Sequence, residues 1–200
     1  MSPDWPPLYH AEGEPLPTQE SGRWHRQGAG YAQYKTLEPL GAWAELVRYE
    51  GIRTHDRAGT YRRRLWLLYV TEHDIADLST FDCYEECGLD PRTAVGKYTD
   101  SQELADELRA AGFRGVLSPS AALVGATNLT LFGPRFEKVM LGRPELWPNP
   151  RPELWVPCAL VAEGAPPVQL IEQTVFEDMR HPGYREWLQA KGLPEPPGVP

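Results

Sequence analysis

Cysteine is scarce in this 200-residue chain, which holds three: Cys83, Cys87 and Cys158. An odd number cannot form a fully paired disulfide framework, and the CxxxC spacing of the first two differs from the CxxC pairs of zinc sites. The sequence therefore predicts reduced thiols and a cytoplasmic chain.

Long apolar runs are missing too. No stretch approaches the roughly eighteen consecutive apolar residues of a membrane span. The N-terminal residues MSPDWPPLYH have neither the basic nor the apolar region of a secretory signal. The formal net charge of −8 opposes nucleic-acid binding, and the basic run at 62–64 is typical of a solvated strand edge. We therefore expect no membrane contact and no direct nucleic-acid binding.

Motifs of the common catalytic and metal-binding classes are absent. The chain has no GxGxxG, GxxxxGKS/T, HExxH or GxSxG pattern. Two histidines never fall at i and i+4, where a helix would present both to one ion. The sequence therefore predicts no metal site. The histidines are His10, His25, His55, His73 and His181.

Proline is abundant, with 21 residues that cluster near the ends. The interior mixes short strand patterns with two helices and lacks regular βαβ alternation. This mixture predicts an α+β fold built on a mixed or split sheet with flanking helices. We expect one domain over residues 1–180, followed by a short helix and a proline-rich tail over 181–200.

Apolar patterns predict strands and two helices, and 81–98 is expected to be irregular. One helix begins at Pro39 and ends at Gly51, and the other begins at Asp100 through a D-x-x-E capping box and ends at Gly112. The near-continuous apolar run Leu65–Val70 is typical of a central strand buried on both faces. The predicted strands are 8–11, 31–34, 65–70, 115–118, 128–132, 156–162 and 168–175, and 75–79 is either a further short strand or a turn.

Three side chains between residues 21 and 50 have binding or catalytic potential. Arg23 carries a planar fork that suits phosphate, although a solvated loop arginine is the plainer interpretation. The ring of Tyr34 could stack on a flat heteroaromatic group of a ligand. Alternatively, Tyr34 is a tyrosine of the core. Glu45 has apolar neighbours on its helix and is a candidate for a half-buried carboxylate. Alternatively, Glu45 pairs with Arg48 on the helix surface.

Ser120 follows a buried strand in the sequence LSPSAALVGATNLTLF. It is either a turn or capping serine after proline, or a hydroxyl held at the strand end, where ligands gather in sheet proteins. Each of these four candidates is weak by itself, and the residues alone do not group them.

A family resemblance groups them. The run GRWHRQGAGYAQYKTLEPLGAWAE resembles the first block of the RES domain, and TDSQELADELRAAGFRGVLSPSAALVGATNLTLF resembles its second block. Between them, LWLLYVTEHDIADLS resembles the strand that leads into D-L in the family. The resemblance covers about residues 8–140. The arginine, glutamate and serine for which the domain is named correspond to Arg23, Glu45 and Ser120.

The resemblance implies an ADP-ribosyltransferase-like fold and a toxin that consumes NAD. It implies a partner as well, a helix-turn-helix antitoxin of the Xre type, and leaves open a homodimer within such a complex. Arg23 would hold the NAD pyrophosphate, Tyr34 would stack on the nicotinamide side, and Glu45 would stabilise the ribose cation. Ser120, with Asn128 nearby, would orient the ribose.

One position departs from the family pattern. Members often carry a Tyr-Arg pair on the first strand, where this chain has Tyr9-His10. Three alternatives stay open: His10 binds the phosphate instead, Arg26 supplies the charge, or affinity for NAD is lower. His10 is therefore a candidate NAD-binding residue.

The sequence leads to one main hypothesis and two alternatives. The main one is an NAD glycohydrolase or phosphorylase, with NAD as substrate and no metal, in a type II toxin–antitoxin pair. A mono-ADP-ribosyltransferase that modifies a protein is the first alternative, and an inactive RES-like binding module is the second. The Pro/Trp-rich stretch 143–157 either packs on the domain or binds a partner.

Overall fold

The structure is a computed structural model that describes residues 19–70, 72–133 and 158–196. The predicted strand at 8–11 and the Pro/Trp-rich stretch 143–157 lie outside the described residues. The strands are β1 (Ala32–Thr36), β2 (Arg63–Leu68), β3 (Ile75–Asp77), β4 (Gly115–Pro119), β5 (Thr127–Phe132) and β6 (Cys158–Gly164). The helices are α1 (Pro39–Tyr49), α2 (His55–Thr60), α3 (Phe81–Glu86), α4 (Tyr98–Ala110), α5 (Leu170–Gln173) and α6 (Pro182–Lys191).

The described strands form two sheets. Four of them lie in the order β1-β5-β4-β3, in which β3 and β4 run parallel and the other neighbours run antiparallel. The remaining two, β2 and β6, pair as an antiparallel ribbon. A mixed sheet with a separate ribbon and flanking helices confirms the predicted α+β class.

Helix α1 forms where the sequence predicts it. Pro39 lies in its first turn, and Gly51 follows its C-terminal end with φ 59°, a conformation that glycine adopts without steric cost. Its buried face includes Trp43, Ala44 and Val47. Gly41 allows α1 to approach β1 closely, since a Cβ at this position would lie 2.4 Å from Oγ1 of Thr36.

The apolar core is divided into clusters that join the sheet to its helices. One cluster packs a face of the four-stranded sheet against α3 and α4 and includes Trp24, Tyr84, Leu104, Val116 and Phe132. Two other clusters join α1 to the C-terminal region, here residues 168–176. They include Leu170, Ile171 and Phe176. The C-terminal region therefore packs directly on the helix that carries Glu45.

The prediction of a central strand at Leu65–Val70 is wrong in its burial and bounds. Strand β2 occupies Arg63–Leu68, and none of its residues is fully buried. Leu67 is 64% exposed. Within the described residues β2 pairs with β6 in a ribbon, and a run of apolar residues does not distinguish such a ribbon from a strand buried on both faces.

Residues 81–98 are more regular than expected. Thr80 caps α3 by accepting from the backbone N–H of Cys83, and Asp90 caps a 3₁₀ turn at Pro91–Ala94 by accepting from the N–H of Arg92. Both are recognisable N-cap residues, but elements of four to six residues have too few positions to show an apolar period.

Two other boundaries also differ from the prediction. Helix α4 begins at Tyr98 after Lys97, which makes no side-chain cap, so the predicted capping box at Asp100 is wrong. The strand predicted at Val168–Val175 is wrong as well, because this segment contains the single turn of α5. Among the described residues, none of the helices combines the length and apolarity that crossing a membrane requires.

Candidate active site

Glu45 is the central carboxylate of the site. Its Oε1 accepts hydrogen bonds from Oγ of Ser120 at 2.8 Å and from Nδ2 of Asn128 at 2.6 Å. Thus α1, the turn after β4, and β5 meet at one carboxylate oxygen. Within the described residues Oε2 has no hydrogen-bond partner, so the second oxygen remains available to a ligand.

Ser120 is 1% exposed and makes three hydrogen bonds through its hydroxyl. Oγ accepts from the backbone N–H groups of Ala122 at 3.1 Å and Leu123 at 3.2 Å. These two donors occupy the oxygen lone pairs and direct the single hydroxyl proton toward Glu45. Ser120 therefore combines the turn-stabilising serine with the oriented hydroxyl, the two interpretations that the sequence left open.

Four buried side-chain atoms have no hydrogen-bond partner in the described residues. They are Nε2 of His25, the hydroxyl of Tyr84, Oδ1 of Asn128 and Oγ1 of Thr130. Asn128 and Thr130 lie two apart on β5 and so face the same side of the sheet. Of these residues, Asn128 binds Glu45 through Nδ2, and because buried polar groups are nearly always paired, its unpaired Oδ1 is consistent with a polar ligand at this carboxylate.

Arg23 lies partly buried beside Tyr98 and the start of α4. Its Nη1 donates to the carbonyl of Gly96 at 3.0 Å, and its guanidinium lies 4.8 Å from the centre of the Tyr98 ring. Burial lowers the pKa of Arg23, and the Tyr98 hydroxyl and the Glu45 carboxylate oppose that shift. No carboxylate forms an ion pair with Arg23 among the described residues, so this partly buried cation remains available to an anion.

Tyr34 is 44% exposed, yet its hydroxyl is held in place. The hydroxyl oxygen accepts from the backbone N–H of Trp24 at 2.9 Å and shares a hydrogen bond with Nδ1 of His25 at 2.8 Å. Burial raises the pKa of Tyr34 to about 12. A Cβ on Gly22 would lie 2.6 Å from this oxygen, so glycine is needed there. With the hydroxyl enclosed, the exposed part of Tyr34 is its ring.

Two neighbouring arginines have other roles. Arg48 donates from Nη1 to the carbonyls of Ala121 at 3.1 Å and Val175 at 2.5 Å, instead of pairing with Glu45 along the helix. Arg26 forms an ion pair with Asp106 of α4, which does not favour Arg26 as the substitute phosphate ligand. His10 lies outside the described residues.

The sequence did not single out Tyr98 and His181, which both contact the site. Tyr98 supports the guanidinium of Arg23 and donates its hydroxyl to Oε1 of Glu177 at 3.2 Å. His181 caps α6 and contacts the carbonyl of Ser120 at 3.1 Å. The order His-Pro in the sequence is an N-cap signal, but it indicates only the start of a helix.

His181 should make the folded protein sensitive to acid. Burial, with Arg48 and Arg23 nearby, lowers the pKa of His181 from 6.5 to about 4. As the pH falls through 6.5 the unfolded chain binds a proton that the folded chain does not bind until about pH 4. Stability therefore decreases between these pH values, by up to about 3 kcal/mol for this group, and is unaffected above them.

Urea unfolding of the wild type and of His181→Asn between about pH 7 and pH 4 measures this effect. Other titrating groups contribute to both proteins, so the difference between the two curves isolates His181. The wild type is expected to lose up to about 3 kcal/mol more than the variant over this range. Parallel curves would contradict a depressed pKa at His181.

Metal-binding potential is low in the part of the chain that the structure describes. No three His, Cys, Asp or Glu side chains gather there closely enough to hold a metal ion. The polar groups of the site are instead a carboxylate, a guanidinium, a hydroxyl and an amide, which suit a ligand with hydroxyl and phosphate groups.

Comparisons with known proteins bear on the fold and the family of this chain. No curated protein matches the chain. A solved structure, the M. tuberculosis MbcT–MbcA toxin–antitoxin complex, contains a chain that matches with a TM-score of 0.51 and 19% identity, over 77% of this chain and 76% of that one. This likeness concerns the fold and is consistent with the ADP-ribosyltransferase-like arrangement of a mixed sheet and flanking helices. The RES domain model matches residues 3–149, a span that includes Arg23, Glu45 and Ser120, and the chain belongs to the RES domain family.

Proposed function

We propose that this protein cleaves the nicotinamide–ribose bond of NAD, as a glycohydrolase or phosphorylase, and acts as the cytoplasmic toxin of a toxin–antitoxin pair. The observation that carries the proposal is the arrangement of Glu45. One carboxylate oxygen is fixed by Ser120 and Asn128, and the other has no hydrogen-bond partner within the described residues. Arg23 is a partly buried cation that interacts electrostatically with Glu45 and has no carboxylate partner in that part of the chain. This carboxylate and this guanidinium match the ribose and the pyrophosphate of NAD.

The reaction requires stabilisation of a cationic sugar. The bond between C1′ of the ribose and the nicotinamide nitrogen breaks, its electron pair leaves with the neutral nicotinamide, and the ribose becomes oxocarbenium-like. A water oxygen or a phosphate oxygen then bonds to C1′, and water releases its proton to solvent. Because the leaving group is neutral, no general acid is needed on that side. An anion close to C1′ lowers the barrier, as in glycoside hydrolysis.

Glu45 is suited to this role because it is already oriented. Its hydrogen bonds to Ser120 and Asn128 fix the carboxylate before substrate arrives, so little reorganisation is needed in the transition state. The free Oε2 can accept from a ribose hydroxyl and places negative charge by the sugar. Ser120, whose proton is committed to Glu45, acts mainly by holding that carboxylate.

Arg23 and Tyr34 would bind the two ends of the nicotinamide mononucleotide half. The guanidinium keeps its charge although burial lowers its pKa, and it presents donors that suit the pyrophosphate. The exposed ring of Tyr34, anchored by its hydroxyl, would stack on the nicotinamide. The unpaired Oδ1 of Asn128, whose Nδ2 binds Glu45, would meet a polar group of the same ligand.

The antitoxin belongs to the proposal as well. The matched solved structure is described as a toxin–antitoxin complex. With membership of the RES family, this supports a protein antitoxin for the present chain, and the family resemblance points to an Xre-type helix-turn-helix protein.

Incubating the purified chain with NAD, with and without phosphate, and measuring free nicotinamide tests the proposal. We expect nicotinamide release without any protein acceptor. Formation of ADP-ribose would indicate hydrolysis, and a phosphorylated ADP-ribose would indicate phosphorolysis. Release that depends on a protein acceptor would favour the mono-ADP-ribosyltransferase. No release under any condition, with unaltered growth on expression, would overturn the enzymatic proposal in favour of a binding module.

A further inference from the structure

The turn that carries Ser120 is held by residues distant from it in sequence. Three successive carbonyls accept hydrogen bonds: Ser120 from His181, Ala121 from Arg48, and Ala122 from the N–H of Val175 at 2.8 Å. Arg48 also binds the carbonyl of Val175, so it joins the two segments. The backbone of the turn is thus fixed at consecutive positions.

Two of these donors lie beyond the region that the RES domain model matches, which ends at residue 149. They belong to the segment 174–181, which also forms a β-bridge between Thr174 and Leu123. The same segment reaches the other side of the site, where Glu177 accepts from the hydroxyl of Tyr98, the ring that supports Arg23. Segment 174–181 therefore contacts both the turn that orients Glu45 and the tyrosine that supports Arg23.

His181 has a defined tautomer in this arrangement. Its Nδ1 accepts from the backbone N–H of Tyr184 at 3.2 Å and so carries no proton. In the neutral ring the proton is then on Nε2, which lies 3.1 Å from the Ser120 carbonyl and donates to it. Both ring nitrogens are engaged, and His181 is buried, so the imidazole is rigidly placed.

We propose that His181 is a positioning residue for the reaction at Glu45. By donating to the carbonyl of Ser120, it fixes the peptide from which the Ser120 hydroxyl is directed to the carboxylate. This inference deepens the proposed function and rests on it. Loss of the bond lets the turn shift, and small displacements of a catalytic group lower rates strongly.

His181→Asn separates positioning from folding. Asparagine is a good N-cap and keeps the hydrogen bond to the start of α6, but its side chain is too short to reach the Ser120 carbonyl as well. We expect kcat for nicotinamide release to fall about tenfold, with KM for NAD changed less than about twofold. The exposed Glu186 on the same helix offers the control Glu186→Gln, which should behave as the wild type.

A double-mutant cycle tests whether His181 acts through Ser120. If it does, His181→Asn should lower kcat in the wild-type background but change it by less than about twofold in a Ser120→Ala background. An equal loss in both backgrounds would overturn the proposal, since it would indicate a general structural effect. Wild-type kcat in His181→Asn would overturn it as well, while leaving the proposed function intact.

NMR gives a readout that needs no NAD. In the wild type, imidazole ¹⁵N spectra should show a neutral His181 with its proton on Nε2. In His181→Asn, the amide signals of Ala122 and Leu123 should shift, because both amides donate to Ser120 Oγ. A proton on Nδ1, or unshifted amide signals, would overturn the positioning role. If these signals behave as expected but the wild type releases no nicotinamide, the proposed function fails instead.

Discussion

Glu45→Gln is expected to lower kcat for nicotinamide release from NAD by about a hundredfold or more, with little change in fold. Glutamine has nearly the same shape, and its carbonyl oxygen can still accept from Ser120 and Asn128, as Oε1 of Glu45 does. What is lost is the negative charge next to the ribose cation. Removal of one preorganised electrostatic contact costs rate on this scale.

The experiment compares Glu45→Gln with Glu103→Gln, which makes the same chemical change at an exposed position on α4. Single-turnover measurements at saturating NAD separate the chemical step from product release. The thermal midpoints of all three proteins should agree within a few degrees. Turnover by Glu45→Gln at the wild-type rate would remove Glu45 from the mechanism.

Arg23→Lys is expected to lower kcat/KM for NAD by roughly thirtyfold or more, mainly by raising KM. A hydrogen bond to a charged group contributes about 1.5–3 kcal/mol, and each 1.4 kcal/mol is about a factor of ten, so loss of one bond of a bidentate phosphate contact has this size. Lysine keeps the charge but lacks the planar fork that grips phosphate oxygens and stacks on Tyr98.

Arg26→Lys is the matched control for Arg23→Lys. Arg26 lies three residues further along the chain and pairs with Asp106, an ion pair with more than a third of each side chain exposed. Exposed pairs contribute little, so this variant should keep wild-type kinetics and stability. An equal rise in KM in both variants would indicate a general effect of replacing arginine by lysine in this region. It would contradict a specific pyrophosphate contact at Arg23.

Local patterns predicted the elements that present the site. Helix α1 could be recognised from Pro39 and Gly51 at its ends and from its apolar stripe, and strands β4 and β5 from their short apolar runs. Each of these signals acts within one turn of helix or one strand, so neighbouring residues suffice to reveal it. The short α3 and the single turn of α5 were missed because so few residues display no period.

The residues of the site were recognisable individually, and the family resemblance grouped them. Glu45 and Ser120 are 75 positions apart in sequence, and their contact depends on how α1 lies against the end of β4. The preference of Arg48 for the carbonyls of the turn over the carboxylate of Glu45 also depends on that packing. The sequence had offered the Glu45–Arg48 pair because only their helical spacing was visible.

The sequence by itself determined the RES family, the α+β class and the chemical types of the proposed site: a cation, a ring, a carboxylate and a hydroxyl. Tertiary structure alone decided that Glu45 is fixed through one oxygen, that Arg23 lies without a carboxylate partner among the described residues, and that His181 holds the Ser120 carbonyl. The physical reason is that backbone carbonyls are identical at every residue. When a side chain acts by binding a backbone carbonyl, its partner can be any residue type, so the sequence does not reveal the pair. Only the folded chain shows which carbonyl the side chain reaches.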